Sequence, residues 1–390
     1  MRDVIVSGIG MTHFGKFLDR GLKSLSEEAV AAALKDAGVV PDQVEQVVFG
    51  NAAAGVVTGQ EMIRAQSALR NTGLGGAPMF NVENACASSS SGFHLGWLMI
   101  ASGQAECVIV VGTEKLTHQD KAVSFGAFAG AVDIEEPLPE GFKEGSGSLF
   151  MDIYAVKARN WLISNGGSPE DFARVVVKSR HAGSLNPIAQ FRKNTSIEEV
   201  LQSRLVSDPL TLFMCSSIGD GSAAIVLTSE AFASQLETPN IRVRASAVVS
   251  AKSHGDRELV AVTAANKAYE MAGLGPEDLD VVELHDATAP AELFHYENLG
   301  LCDAGEAVAL IRSGDTAIGG RIPVNPSGGL MSRGHPIGAT GAGQIVELVQ
   351  HLRGTAGARQ TEGAQVALAE NNGGQLAGDS ALAVVTILSV

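Results

Sequence analysis

ALKDAGVVPDQVEQVVF at residues 33–49 and AYEMAGLGPEDLDVVEL at residues 268–284 follow one plan, 235 positions apart: Gly38 matches Gly273, Pro41 matches Pro276 and Val44 matches Leu279. In each copy a helical apolar spacing stops at a glycine. A Pro-Asp or Pro-Glu turn follows, then a short apolar strand. The parallel continues downstream. The first copy leads to the turn Asn84-Ala85-Cys86-Ala87-Ser88, a helix of small and apolar residues and a buried strand over 107–112. The second leads to the turn Gly334-His335-Pro336-Ile337-Gly338, a helix to about Leu352 and a strand over 366–369. Two α/β halves packed about a pseudo-two-fold axis are therefore expected. Residues 1–114 with 216–240 form the first half, and 241–390 the second.

Residues 115–215 break this pattern and read as an insertion on the first half. They carry a Gly/Pro/Glu-rich stretch at 133–147, a helix from about Asp152 to Ser164 and a basic helix, Pro169–Arg180. Arg174, Lys178, Arg180, His181, Arg192 and Lys193 gather there, in a chain of formal net charge −15. The cluster suits a phosphate-rich ligand, and equally a solvated helix face.

At 390 residues the chain exceeds one ordinary core. Its charged fraction is 18%, below the usual ~25%, so a large core and buried subunit interfaces are expected. With no Lys/Arg-rich run, a nucleic-acid surface is not expected. With no apolar run of ~18 residues, neither is a membrane span. The first residues are read as opening directly into a strand, and no signal peptide is expected. Cys86, Cys107, Cys215 and Cys302 are widely spaced, without a Cys-x-x-Cys pair. That argues against a metal site or disulfide framework and for a reducing cytoplasm.

Cys86 falls between a strand end at 80–82 and a helix beginning near Ala87. The positive end of that helix would favour its thiolate, and the small residues after it would leave room for a ligand. A buried structural cysteine is the alternative. His335 stands among six glycines in NPSGGLMSRGHPIGATGAG, 325–343. Permissive backbone beside an imidazole suggests a substrate close to the main chain, and the imidazole could activate a thiol or bind an oxyanion. His285-Asp286 ends an apolar strand, where α/β sheets build sites. Glu370-Asn371-Asn372-Gly373-Gly374, after the last inner strand, could line an oxyanion hole with backbone N–H groups. Cys107 and Cys215 read as core and Cys302 as structural. Asp220 serves a turn.

Together, NACASSSSG at 84–92, GDGSAA at 219–224, HDAT at 285–288 and NPSGGLMSRGHPIGATG at 325–341 resemble the thiolase superfamily, in order and over nearly the whole chain. HDAT in place of the more common NEAF resembles the sterol-carrier-protein-type (lipid-transfer-type) thiolases. The resemblance implies the thiolase fold: two pseudo-two-fold-related, five-layered α-β-α-β-α halves plus an inserted loop domain, here 115–215, that binds coenzyme A. It also implies a homodimer or homotetramer, with an acyl-CoA thioester and CoA as substrates and no permanently bound cofactor. The activity implied is that of an acyl-CoA C-acyltransferase making or cleaving a carbon–carbon bond in a 3-ketoacyl-CoA, in lipid, fatty acid or steroid metabolism. Cys86 then matches the acylated nucleophile and His335 its activator. His285 sits where relatives hold the thioester oxygen. The N–H groups of Cys86 and of Gly373 or Gly374 form the second oxyanion hole. Arg174, Lys178, Arg180, His181 and Ser253 are the expected CoA contacts.

The chain departs from this pattern in its acid/base group. The Cys-x-Gly of ordinary thiolases is replaced by AENNGG, and the cysteine of the His-Asp-Cys-Phe motif by Ala287. Glu370 and His285 are the nearest titratable substitutes. A retro-aldol lyase acting on a 3-hydroxyacyl-CoA is thus the alternative activity. Some divergent members of this type work with a small zinc-ribbon/OB-fold partner, and a non-catalytic acyl-CoA-binding subunit is a third reading.

Overall fold

The computed structural model describes residues 2–390 except 136, 137, 139–141, 143, 144 and 253–257, so Ser253 lies outside the described residues. The elements that position the site are β1 (Val4–Met11), α1 (Leu22–Ala37), β2 (Gln46–Gly50), β3 (Met79–Val82), α2 (Ser88–Ala101), β4 (Cys107–Glu114), α3 (Lys121–Phe128), α4 (Leu149–Asn165), α5 (Pro169–Leu185), β5 (Gly221–Ser229), β6 (Ile241–Ser250), α6 (Val260–Ala272), β7 (Val281–Glu283), α7 (Ala289–Asn298), α8 (Thr340–Leu352), β8 (Val366–Gly373) and β9 (Leu382–Ser389). Among the described residues the main sheet runs β3-β2-β4-β5-β1-β6-β9-β8-β7. Its middle is the seam between the halves, where β1 pairs antiparallel with β6, Ile5 opposite Arg242 and Val6 opposite Ile241. Outward from the seam β5 matches β9, β4 matches β8 and β2 matches β7. Val324 bridges Val282 where a counterpart of β3 would lie.

The repeated turns look alike for a local reason. Gly38 (φ 67°) and Gly273 (φ 66°) close α1 and α6 in the left-handed conformation that glycine takes without strain. Pro41 and Pro276 then open matching 3-10 turns. β4 and β5 are buried along their whole length, hence their continuous apolar sequence. α1 covers one face of the first half-sheet. α6 and α7 cover the far face of the second. Between the half-sheets, α2 and α8 share one core, with Phe93 and Trp97 beside Ile345 and Val349. This stacking gives one α-β-α-β-α sandwich of five layers for the two halves together, each half contributing one sheet and its helices.

The small residues behind Cys86 have a different purpose from the one expected. Ser88–Gly92 are buried, and the other half fills their space. A Cβ on Gly341 of the second half would meet Ser90 Cβ at 2.7 Å and Ser90 N at 2.8 Å. The glycines around His335 serve the same close approach. A Cβ on Gly338 would fall 2.9 Å from the Asn51 Cα of the first half. They let the halves interdigitate rather than admit a substrate. Asp220 is likewise more than a turn residue: buried, it accepts the N–H groups of Leu116 and Thr117 at 2.8 Å and pairs with Lys115 at 2.7 Å.

Candidate active site

Cys86 sits in the 3-10 turn 85–87 that opens α2, and the turn 337–339 after His335 opens α8 in the same way. Ala85, just before the nucleophile candidate, is left-handed (φ 48°), a costly conformation for a residue with a Cβ. Its N–H is anchored to Glu83 Oε1 at 2.6 Å. His285 arrives from the end of β7. Cys86 Sγ and one ring nitrogen each of His285 and His335 all lie within 4.8 Å of one another. The two imidazoles meet edge to face, centroids 5.3 Å apart. The sequence expectation that these three residues converge is met.

The tautomer of His335 follows from its neighbour. Thr340 donates its hydroxyl proton to the Pro336 carbonyl (3.1 Å), so its oxygen accepts from His335 Nδ1–H at 2.8 Å. Nε2 therefore carries the lone pair. Burial, and then the charges of His285 and Arg333, hold this imidazole well below its usual range. It is neutral at physiological pH and ready to accept a proton. A thiol and two imidazoles are also donors a thiophilic cation would accept. The pairing of a base with a protonated thiol makes them a nucleophile and its acceptor.

The expected thiolate is absent. Burial first, and then the nearby Glu114 carboxyl, push the Cys86 thiol up to about 12. The helix terminus does not offset this, since Cys86 is half-buried beneath a largely apolar wall and faces a carboxyl group that accepts the Ala52, Ala53 and Gly338 N–H groups. The resting pair is thus thiol and neutral imidazole, not an ion pair. Alkylation of Cys86 by iodoacetamide in the free enzyme should climb about tenfold per pH unit from pH 7 to 10. A plateau near pH 7 would reveal a preformed thiolate.

His285 is buried with both ring nitrogens lacking a hydrogen-bond partner, and burial brings it down to about 4. Glu370 lies behind it. β8 runs on to Gly373, so Glu370 and Gly373 belong to the strand rather than to a turn after it. Glu370 Oε2 accepts the His285 N–H at 3.0 Å, its Oε1 is unpartnered, and burial raises it to about 8. It does not line the cavity described below, whereas His285 and Asn372 do. Of the two glycines, Gly374 reaches the cavity. The open side of Gly373 is 2.3 Å from the Asn84 carbonyl oxygen, measured from where a Cβ would stand.

A cavity of about 700 Å³ opens over Cys86, His285 and His335, with Phe125, Phe128, Phe150, Met151, Leu212 and Ile218 in its largely apolar wall. Its cations are Lys16, Lys121 and Arg204. None of Arg174, Lys178, Arg180, His181, Arg192 and Lys193 lines it. Lys178 points inward instead, paired with the buried Glu292 at 2.5 Å and donating to the Val324 carbonyl at 2.7 Å. Arg180 stacks over Phe191 and Phe213 at 4.2 and 5.4 Å. Arg174 and His181 are exposed. The polar side of α5 thus braces the 325–333 segment, with Ser179 donating to the Gly328 carbonyl at 2.6 Å. Cys215, expected in the core, lines the cavity; Cys107 is in the core and Cys302 is half-buried. Sequence reasoning missed Tyr154, on the cavity wall, and His295, behind it. Nothing in the local sequence marks the inward face of α4 or α7 as functional.

The chain matches the family model "Thiolase, N-terminal domain" over residues 4–231 and "Thiolase C-terminal domain-like" over 245–389. It is 39% identical over 380 residues to an acetyl-CoA acetyltransferase of Methanothermobacter thermautotrophicus, covering 96% of this chain and 97% of that one. It is 37% identical to a benzoylsuccinyl-CoA thiolase subunit of Thauera aromatica, covering 93% and 92%, and 36% identical to sterol carrier protein 2 of Bos taurus, covering 95% and 70%. Among solved structures, the Ltp2-ChsH2(DUF35) aldolase superposes with a TM-score of 0.80 at 27% identity, covering 98% of this chain and 97% of that one. Human mitochondrial 3-ketoacyl-CoA thiolase in complex with CoA gives 0.73 at 21%, covering 100% and 98%, a likeness of fold.

Proposed function

The chain belongs to the thiolase family, and from that premise we propose that it is an acyl-CoA C-acyltransferase that makes or cleaves a carbon–carbon bond in a 3-ketoacyl-CoA through an acyl-enzyme on Cys86. The single observation that carries this reading is the thiol within 4.8 Å of the two histidine nitrogens, at the foot of an acyl-sized cavity. In the cleavage direction Cys86 attacks the 3-keto carbon while His335 Nε2 takes its proton. The N–H groups of Cys86 and Gly374 receive the tetrahedral oxyanion. The carbon–carbon bond breaks, and His285 with protonated His335 stabilises the enolate of the departing thioester. The enolate takes up a proton at carbon, and CoA then removes the acyl group from sulfur. CoA is a substrate here.

The test is an intact-mass screen of CoA thioesters for covalent labelling of Cys86, with analysis of the products. A panel that cleaves without ever labelling Cys86 would overturn the acyl-enzyme.

The CoA phosphates are assigned to Lys16, Lys121 and Arg204 at the cavity, with residues 115–215 as the loop domain that builds its roof. Arg204→Glu and Lys16→Glu should each weaken CoA binding about 5- to 20-fold at low salt, and less at high salt. Arg174→Glu should leave it unchanged. Calorimetry at two salt concentrations checks this, and the reverse ranking would return CoA to the basic helix.

Oligomerisation is proposed through the free edge of β3, where Phe80 is 45% exposed. A zinc-ribbon/OB-fold partner is consistent with the aldolase neighbour, whose name joins two proteins. Free cysteines fit a reducing cytoplasm, and among the described residues no helix is long and apolar enough to cross a membrane.

A further inference from the structure

His295 projects from α7 toward the back of the site. It is buried, and three contacts fix its orientation. Asn372 Nδ2 stands 3.2 Å from Nε2, Asn298 Nδ2 stands 3.5 Å from Nδ1, and Glu370 Oε2 stands 3.8 Å from Nδ1. An amide nitrogen only donates, so Asn372, the nearer of the two amides, makes Nε2 the acceptor; the proton then sits on Nδ1, between the Glu370 carboxyl group and an Asn298 amide that must turn its oxygen toward it. On its other side Glu370 Oε2 takes the His285 backbone N–H at 3.0 Å, and the Glu370 carbonyl is held by Gln344 at 2.8 Å. The carboxyl group is thus bonded to the end of β7 and flanked by α7, while the strand that carries it is tied to α8. Its second oxygen and both His285 ring nitrogens remain buried and without partners.

We propose that His295 is a positioning residue for the carbon-acid step: clamped by Asn372, it holds Glu370 against His285, and the three residues form a proton relay in place of the missing second thiol. The relay rests on the thiolase reading above. In the protonating direction the Glu370 carboxyl group, bonded at rest only to the His285 backbone N–H, turns its unpartnered oxygen to the ring, and its O–H bond breaks as a His285 N–H bond forms. The proton on the other His285 nitrogen passes to the enolate carbon, whose electron pair becomes the new C–H bond. His285 ends neutral but as the other tautomer, and the Glu370 carboxylate is left facing His295 Nδ1–H and the His285 N–H. The reverse direction removes an α-proton. Burial keeps His295 neutral, with Lys157 of α4 and His285 pushing it further down, to about 3. It can therefore support the carboxylate without competing for the proton.

Acetyl-CoA in D2O tests the relay with the full chain. Two readings are taken: acetylation of Cys86 by intact mass, and deuterium entering the acetyl methyl group. In the parent, exchange should rise with pH through the Glu370 titration. His295→Ala should keep acetylation within about threefold and lose exchange by about 30-fold or more, on the scale of a disabled acid/base group. Its pH limb should move alkaline, because the carboxylate has lost a donor. His295→Asn, which restores a donor near Nδ1, should recover part of both. If His295→Ala fails to fold, His295→Gln decides: it can still meet Asn372 but offers Glu370 no proton. A limb that moves supports the relay, and a limb that stays overturns it. A parent that never acetylates overturns the thiolase reading and the relay with it. A parent that acetylates and exchanges, beside a His295→Ala variant that matches its exchange, overturns the relay alone.

Discussion

Cys86→Ala should lose covalent acylation entirely and reduce carbon–carbon cleavage by about 10⁴-fold or more, the scale set by removing a catalytic nucleophile. The expectation follows from a thiol held near 12 beside a neutral imidazole. The sulfur has little nucleophilicity until His335 takes its proton, so the pair acts as a unit and His335→Ala should cost nearly as much. Intact-mass analysis after mixing with a cleavable 3-ketoacyl-CoA reads acylation, and chromatographic assay of CoA products reads cleavage. Full cleavage by Cys86→Ala would sink the acyl-enzyme and install the retro-aldol reading, which needs a base but no nucleophile.

The second half of the chemistry should separate from the first. His285→Ala removes a cavity-facing imidazole without touching the Cys86–His335 contact. Acylation should remain detectable while cleavage slows by about 10²-fold. Equal loss of both would make His285 part of the nucleophile's support rather than of the carbanion's.

Most of the fold was legible because the repeat is enforced locally. A glycine that must be left-handed and a proline that opens the next turn recur at the same offset, and each half obeys the same rules. The convergence of Cys86 and His335 followed, since both stand at the start of equivalent helices. Two kinds of feature were not legible. The first is direction: Lys178 and Arg204 are equally basic in the sequence, yet one is buried against Glu292 and the other lines the cavity. The rotation of α5 against the second half buries Lys178, while Arg204 lies in the turn after the helix at Ile197–Gln202. The second is environment. A helix start suggested a thiolate, but the Cys86 thiol is pushed up first by burial that the assembled halves provide and then by Glu114, 28 residues away in sequence. Glu370 gave a partial signal. Its place in AENNGG was correct, but the extra length of β8 puts it behind His285 rather than at the cavity wall.

Arg333→Met should cost about 3–5 kcal/mol of stability, the toll of breaking a buried ion pair from one side. Arg333 is fully buried two residues before His335, with Nη1 3.1 Å from Glu283 Oε2, and Glu283 is equally buried at the end of β7, two residues before His285. The pair therefore ties the two histidine-bearing segments together. It is costly even when intact. Burial raises Glu283 despite the guanidinium, and Glu347 pushes it the same way. Arg333 itself keeps Nε and Nη2 unpartnered beneath the Phe14 ring. Without Arg333 the carboxyl group stays buried among the Ser327 N–H and hydroxyl donors, and its folded value must rise further. A carboxyl group raised above its unfolded value contributes its full stability at acid pH and loses it as pH climbs toward the folded value. The deficit of Arg333→Met should accordingly be larger at pH 8 than at pH 5. Adding Glu283→Gln should recover much of it at pH 8 and little at pH 5. Denaturant midpoints at the two pH values read both effects. A single variant as stable as the parent at pH 8 would mean that Glu283 gains nothing from the guanidinium, and the ion pair would then have no part in holding His285 and His335 in register.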